Sequence, residues 1–198
     1  MGQKNDGTKK LADEIDSMFN IKRVAVEIEG IKPLLMHRFP EEEHGVNRGM
    51  GQKQKVYDPQ KEAEKTLYKD GNGKIYQPSI HLLLCLVKAG TQHVFKGKQS
   101  YKDIIKSCVE ISPDKIEHKF QEWEIDTQSK VVEKKRIMRY RARFDQWALE
   151  FVLSYDADLI SFEKIREIVM HAGRRHGLGD ERPLYGQFVV TKFQQIKE

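Results

Sequence analysis

The sequence is poor in residue types and patterns on which several large classes of protein depend. Its only two cysteines, Cys85 and Cys108, form neither a CxxC motif nor a Cys/His ligand pattern. We interpret both as small buried apolar residues. The longest apolar run, residues 80–87, is interrupted by His81 and is far shorter than the roughly 20 residues of a membrane span. No apolar secretion signal begins the sequence, so we expect a cytoplasmic protein without a membrane partner.

The sequence also lacks the motifs that mark common enzyme classes. It contains no GxxxxGKS/T, HExxH or GxSxG motif, and it gives no support to an NTPase, a kinase or a hydrolase of those classes. Residues 70–74 (DGNGK) lack the second half of a calcium loop and predict a plain hairpin turn. His171 and His176 are five residues apart with no third ligand nearby in the sequence, so we expect no metal site and no cofactor.

Charged residues are abundant, and positive charge is in excess. The chain has 35 lysines and arginines against 30 aspartates and glutamates, which gives a formal net charge of +5. This excess permits binding to a polyanion but does not establish it, so the positions of the charges carry more information than their sum. The 198 residues suit one core with insertions, and we expect residues 1–198 to form a single domain.

The hydrophobic pattern predicts alternating strands and helices. Strict alternation predicts strands, and spacings of three and four predict amphipathic helices. Two alternating runs separated by only two residues, 131–144 and 147–155, predict an antiparallel hairpin. The predicted order is a strand at 22–30, a helix at 79–89, a hairpin at 131–155, a helix at 161–172 and a strand at 187–194. This is the βαββαβ order of an α+β, ferredoxin-like or RRM-like antiparallel sheet with insertions.

Other segments lie outside this order. Residues 1–8 are polar, and we expect them to be frayed. Residues 38–55 have almost no apolar periodicity and predict a long flexible surface loop that is either functional or disordered. Residues 113–130 form a polar insertion whose structure the pattern does not predict, and residues 107–112 allow a further short strand.

The strongest local signal is the glycine-rich segment 173–190 (GRRHGLGDERPLYGQFVV), between a predicted helix and the last strand. Glycine permits positive φ and a close approach of the backbone to a ligand, so N–H groups here could contact phosphates while arginines neutralise their charge. The alternative is a tight connection with Gly173 as the helix C-cap, which leaves the arginines unexplained. The predicted nucleic-acid contacts are Arg174, Arg175, Gly177, Gly179, Arg182 and Tyr185.

Part of this segment resembles a known family. Residues 177–190 (GLGDERPLYGQFVV) resemble the glycine-rich loop and following strand of the RAMP superfamily, the RNA-binding proteins of CRISPR systems. Residues 75–89 (IYQPSIHLLLCLVKA) and 28–35 (IEGIKPLL) are similar to its first helix and first strand. The acidic pair Asp180 and Glu181 departs from the pattern. The resemblance implies an RNA-binding subunit of an antiviral ribonucleoprotein that stacks along a guide or another single strand, without assigning a subfamily.

A second basic element lies in the predicted strand 134–144 (KKRIMRYRARF). A cationic sheet face bordered by aromatic rings is how RRM-like folds bind single strands. The alternative is an ordinary solvated face of a hairpin. The predicted contacts are Lys135, Arg139, Tyr140, Arg141 and Arg143.

Two histidines, His37 and His176, are candidate catalytic groups. The resemblance implies them, because some RAMP proteins are metal-independent endoribonucleases that use histidine for proton transfer. Neither histidine lies in a motif that fixes its role. We therefore expect a non-catalytic binder of single-stranded nucleic acid, RNA before DNA, that forms homo-oligomers along the strand. The alternatives are an endoribonuclease of the same fold and a structural protein of a phage or mobile element whose basic face binds a partner.

Overall fold

The structure is a computed structural model that describes residues 18–39, 58–132 and 135–196. In chain order its strands are β1 (Ile21–Gly30), β2 (Leu34–Met36), β3 (Tyr76–Pro78), β4 (Val94–Lys96), β5 (Gln99–Ser100), β6 (Val109–Ser112), β7 (Lys115–Glu117), β8 (Glu124–Val132), β9 (Lys135–Phe144), β10 (Ala148–Asp156) and β11 (Phe188–Gln195). Its helices are α1 (Pro59–Lys65), α2 (Ser79–Gly90), α3 (Tyr101–Cys108) and α4 (Phe162–Arg175).

A four-stranded antiparallel sheet in the order β11-β1-β10-β6 forms the core. β1 is an inner strand because it pairs with both β10 and β11, and its alternating Val24, Val26 and Ile28 are completely buried. Helix α4 packs against β11 and α2, and its buried residues recur at helical spacing, from Ile165 to Ala172. The chain order β1-α2-β6-β10-α4-β11 is the βαββαβ order of a ferredoxin-like sheet. The predicted α+β fold is therefore confirmed.

The predicted hairpin at 131–155 is wrong. β9 and β10 are separated by only three residues, yet they belong to different sheets. β9 pairs with β8 and with β2, whereas β10 pairs with β1 and with β6. The short strand at 109–112 is thus the second strand of the core order. Alternation identifies a strand with one buried face, but it does not identify the strand with which it pairs.

A second antiparallel sheet in the order β2-β9-β8 contributes Leu34, Met36, Ala142 and Phe144 to the same hydrophobic core. β8 and β9 pair with each other as a long hairpin, so the predicted strand 131–144 is divided between two strands. The insertion at 113–130 supplies β7 and most of β8. Helix α1 packs on β9. We call β8 and β9 together the hairpin.

Some expectations concern residues that the structure does not describe. Residues 1–8 are outside the described ranges, and of the predicted loop 38–55 only Arg38 and Phe39 are described. Both cysteines are free, and Cys85 is buried, which raises the pKa of its thiol to about 12. Within the described ranges, every helix is too short or too polar to cross a membrane.

Candidate nucleic-acid interface

The glycine loop, residues 177–186, follows α4 and packs against the connection between β1 and β2. The Asp180 N–H donates to the Leu35 carbonyl at 2.8 Å, and the Gly186 N–H donates to the Pro33 carbonyl at 2.8 Å. Gly179 has φ +74°, and a Cβ there would overlap the Leu35 carbonyl. The glycines therefore allow the loop to pack tightly on its own chain.

This packing corrects two sequence predictions. The Gly177 N–H donates to the Ala172 carbonyl at 2.9 Å, so it is not available to a phosphate. Gly173 is not the C-cap, because α4 continues to Arg175 and its cap residue is His176. A Cβ on Gly173 would overlap the Phe188 carbonyl, so glycine is needed there for close packing of α4 on β11.

Arg141 is the largest correction among the predicted contacts. Its side chain is 0% exposed and is surrounded by three carboxylates. The guanidinium donates to Asp180 at 2.7 Å, to Glu181 at 3.1 Å and to Asp126 at 3.1 Å. Arg141 therefore holds the glycine loop against the hairpin and cannot contact a strand. The acidic pair in the loop, a departure from the RAMP pattern, is explained by this ion pairing.

The other predicted contacts lie in different surroundings. Arg143 donates to Asp145 at 2.7 Å, which offsets part of its charge. The Tyr185 hydroxyl accepts a 3.4 Å hydrogen bond from Gln128 of β8. Arg174 and Arg175 are exposed on the last turn of α4. The side chain of Lys135 lies outside the described part of the chain.

Two neighbouring cavities adjoin each other, one between the glycine loop and α2 and the other between α1 and β9. The first, which we call the glycine-loop pocket, has a volume of about 400 Å³. The second, which we call the hairpin pocket, has a volume of about 690 Å³. His37 and Phe39 line both, so the two pockets form adjoining parts of one surface. Volumes of this size lie within the range of about 300–1,000 Å³ typical of ligand sites.

The hairpin pocket combines positive charge with apolar and aromatic surface. Arg136 and Arg139 line it and make no side-chain ion pair with any residue the structure describes. Met138 and Tyr140 line it as well. Arg182 lines the glycine-loop pocket, is exposed and likewise has no ion-pair partner among the described residues. Of the predicted contacts, Arg139 and Tyr140 are thus brought together, and Arg182 and Gly179 lie in the adjoining pocket.

His37 lies where the two pockets meet, and Asp180 fixes its orientation. The His37 Nδ1 and the Asp180 Oδ2 are 3.0 Å apart, and the same oxygen accepts the Arg141 hydrogen bond. Hydrogen bonds from His37 and Arg141 hold the pKa of Asp180 well below its usual range. Asp180 is therefore a carboxylate that can accept a hydrogen bond from the Nδ1–H of His37. In the tautomer with the proton on Nδ1, the Nε2 of His37 is the acceptor.

His176 does not share this arrangement. Its side chain is buried, its Nε2 has no hydrogen-bond partner among the described residues, and it lines neither pocket. Burial lowers the pKa of its imidazole. His176 is therefore not placed to act on a bound strand, which corrects its selection as a catalytic candidate. The sequence does not distinguish the two histidines because the distance from His37 to Asp180 along the chain is 143 residues.

The fold is similar to that of a solved ribonucleoprotein subunit. No protein-family model matches the sequence, and no curated protein matches it. The chain is similar to a chain in the cryo-EM structure of the Type III-B Cmr-beta complex bound to cognate target RNA, with a TM-score of 0.60 and 15% identity. The match covers 99% of this chain and 68% of that chain. At this identity the similarity concerns the fold alone. The chain therefore has a ferredoxin-like α+β fold similar to that of the Cmr-beta chain.

Proposed function

We propose that the protein is an RNA-binding subunit of a CRISPR-type ribonucleoprotein, and that it holds a single strand along the hairpin pocket and the glycine-loop pocket. One observation carries the proposal. Three arginines without described ion-pair partners, Arg136, Arg139 and Arg182, line two pockets that share a wall. Self-association along the strand belongs to the same proposal.

The distribution of charge supports backbone contacts at these pockets. Arg141 is paired with carboxylates, whereas Arg136 and Arg139, on the same strand and beside Tyr140, have no ion-pair partner among the described residues. Unpaired guanidinium groups attract phosphates, and aromatic rings stack on unpaired bases. A surface with both properties suits a single strand better than a duplex, whose bases are already stacked.

The similar fold supports RNA as the ligand. The solved chain belongs to a complex bound to target RNA. Because one fold hosts many functions, this similarity favours RNA over DNA without placing any contact.

Titration of labelled single-stranded RNA, single-stranded DNA and duplex RNA at two salt concentrations tests the proposal by fluorescence anisotropy. The test variant is Arg136→Ala/Arg139→Ala. The control is Lys102→Ala/Lys106→Ala, which removes the same charge from exposed positions of α3 that line neither pocket.

We expect single-stranded RNA to bind most tightly and the test variant to reduce the slope of log affinity against log salt by about 1.4, since each phosphate contact on a single strand contributes about 0.7. The control variant should keep the wild-type slope. Equal losses in the two variants would show that only net charge matters. Absence of binding to all three nucleic acids at low salt would refute the proposal and favour a protein partner.

The orientation of His37 favours a second candidate function, metal-independent RNA cleavage. The Nε2 of His37 would accept the proton of a ribose 2′-hydroxyl while the 2′-oxygen attacks the adjacent phosphorus. The bond to the 5′-oxygen then breaks, and that oxygen takes a proton from water. Asp180 would stabilise the imidazolium that forms.

Incubation of the protein with single-stranded RNA in the presence of a chelator tests this second function. Cleavage by the wild type that is lost in His37→Gln and persists in His176→Gln would support it. A substrate whose 2′-hydroxyl is replaced by hydrogen at the cleaved position should stay intact. RNA that remains uncleaved while it binds would establish a non-catalytic subunit.

A further inference from the structure

We infer that the glycine-loop pocket is a subsite for one unstacked nucleobase of the bound strand. The inference rests on the proposed function and extends it, since it assigns a base contact to a pocket separate from the cationic surface of β9.

The walls of the pocket suit a flat aromatic ligand. Tyr68 and His81 lie edge to face, with ring centroids 5.4 Å apart and an interplanar angle of 76°. Met36 and Leu84 complete the apolar wall. A base that leaves the stack of its strand loses contacts with the neighbouring bases, and contacts with such side chains replace them.

A buried amide supplies the polar groups of the pocket. Gln77 is only 2% exposed, and its Nε2 lies 2.7 Å from the Nδ1 of His81. Burial, aided by the nearby charge of Arg182, lowers the pKa of His81, so the ring is neutral near pH 7. In the tautomer whose Nδ1 accepts from Gln77, the His81 Nε2 carries the proton.

The Gln77 Oε1 has no hydrogen-bond partner among the described residues. The pocket therefore presents one acceptor, the Gln77 Oε1, and one donor, the His81 Nε2–H. The hydrogen-bonding edges of nucleobases carry donors and acceptors side by side, so one base could satisfy both groups.

Arg182 connects this pocket to the path of the strand. It lines the pocket with an exposed guanidinium, so it can contact the phosphate next to the bound base. His37 joins the pocket to the surface that carries Arg139. A strand that follows Arg139, His37 and Arg182 would pass directly over the opening of the glycine-loop pocket.

Two tryptophan variants on α2 test the inference. Leu84 lines the pocket and is 51% exposed, so Leu84→Trp fills the pocket from the surface without disturbing the core. Ile80 lies one turn earlier on the same helix and is also 51% exposed, but it does not line the pocket. Ile80→Trp is therefore the matched control.

The probe is a set of single-stranded RNAs of the shortest length that binds fully, each with one abasic nucleotide at a different position. In the wild type and in Ile80→Trp, we expect the abasic substitution at one position of the RNA to lower the affinity for that RNA about tenfold. This is within the range for the loss of one stacked base. In Leu84→Trp, the unmodified RNA should bind as weakly as that abasic RNA, and no position should stand out. The salt dependence of Leu84→Trp should equal that of the wild type.

The outcomes separate this inference from the proposed function. If every abasic position has the same effect while Arg136→Ala/Arg139→Ala still weakens binding, the inference is overturned and the proposed function stands. If no RNA binds, both are overturned. Free mononucleotides are tested as a further ligand. If the wild type binds mononucleotides but no RNA strand, and Leu84→Trp abolishes this binding, the pocket is a site for free nucleotides and the assignment to a strand is overturned.

Discussion

The Nη1 of Arg141 lies 2.7 Å from the Oδ2 of Asp180, and this contact joins the hairpin to the glycine loop. The same carboxylate oxygen lies 3.0 Å from the Nδ1 of His37. One aspartate therefore links β9, the glycine loop and the residue at which the two pockets meet. The shape of the proposed RNA surface depends on this contact between residues that are 39 positions apart.

Replacement of Arg141 should destabilise the protein. In Arg141→Met, Asp126, Asp180 and Glu181 lose their buried partner, and we expect the free energy of unfolding to fall by about 3–5 kcal/mol. Urea denaturation measures the change. Arg139→Met on the same strand is the control and should stay within about 0.5 kcal/mol of the wild type, since Arg139 has no described ion pair. Equal stability of the two variants would contradict the buried network.

The glycine loop offers a second stability test. Gly179→Ala introduces a Cβ at φ +74° that overlaps the Leu35 carbonyl, so we expect a loss of more than about 1 kcal/mol in unfolding free energy. Gly71→Ala is the control, because a Cβ there meets no atom within 4 Å. Thermal unfolding of both variants gives the comparison. A Gly179→Ala protein as stable as Gly71→Ala would show that the loop is not packed as described.

The core of the fold could be predicted from the sequence because burial leaves a periodic record. The alternation of Val24, Val26 and Ile28 identifies β1, and the spacing from Ile165 to Ala172 identifies α4. Each pattern reflects one face in contact with the core. The order of these elements along the chain then favours few topologies.

Pairing between strands and between charges could not be predicted in the same way. Phe144 and Ala148 are four residues apart but belong to different sheets. The sequence does not reveal this, because the alternation within a strand does not specify the strand with which it pairs. In the sequence, alternation places Arg141 on the same face of the strand as Arg139 and Arg143, which looks like a solvated face. Its burial depends on Asp126, Asp180 and Glu181, and the only signal of this in the sequence is the unexpected acidic pair in the loop.

The predicted contacts at the end of α4 should contribute less to RNA binding than those on β9. Arg174 and Arg175 are exposed but line neither pocket, so Arg174→Ala/Arg175→Ala should lower the affinity for single-stranded RNA less than Arg136→Ala/Arg139→Ala. Anisotropy titrations at one salt concentration rank the two variants. The reverse ranking would move the strand from the hairpin pocket to the last turn of α4.

His118 should make the fold sensitive to acid. Its ring stacks on Phe144 with centroids 5.2 Å apart, neither ring nitrogen has a hydrogen-bond partner among the described residues, and burial lowers the pKa to about 4. The unfolded chain has a histidine pKa of about 6.5 and takes up the proton first, so this contribution to stability is complete above that pH and is lost as the pH falls toward 4.

His118→Leu removes this titration, and its unfolding free energy should fall between pH 7.5 and pH 5 by about 2 kcal/mol less than that of the wild type. Urea denaturation at the two pH values measures both proteins. Phe120→Leu is the control, because it changes a nearby exposed aromatic residue that does not titrate, and it should keep the wild-type pH dependence. If His118→Leu loses as much stability on acidification as the wild type, His118 is not held neutral in the folded protein, and the loss must come from other histidines whose pKa is lowered by burial, such as His93.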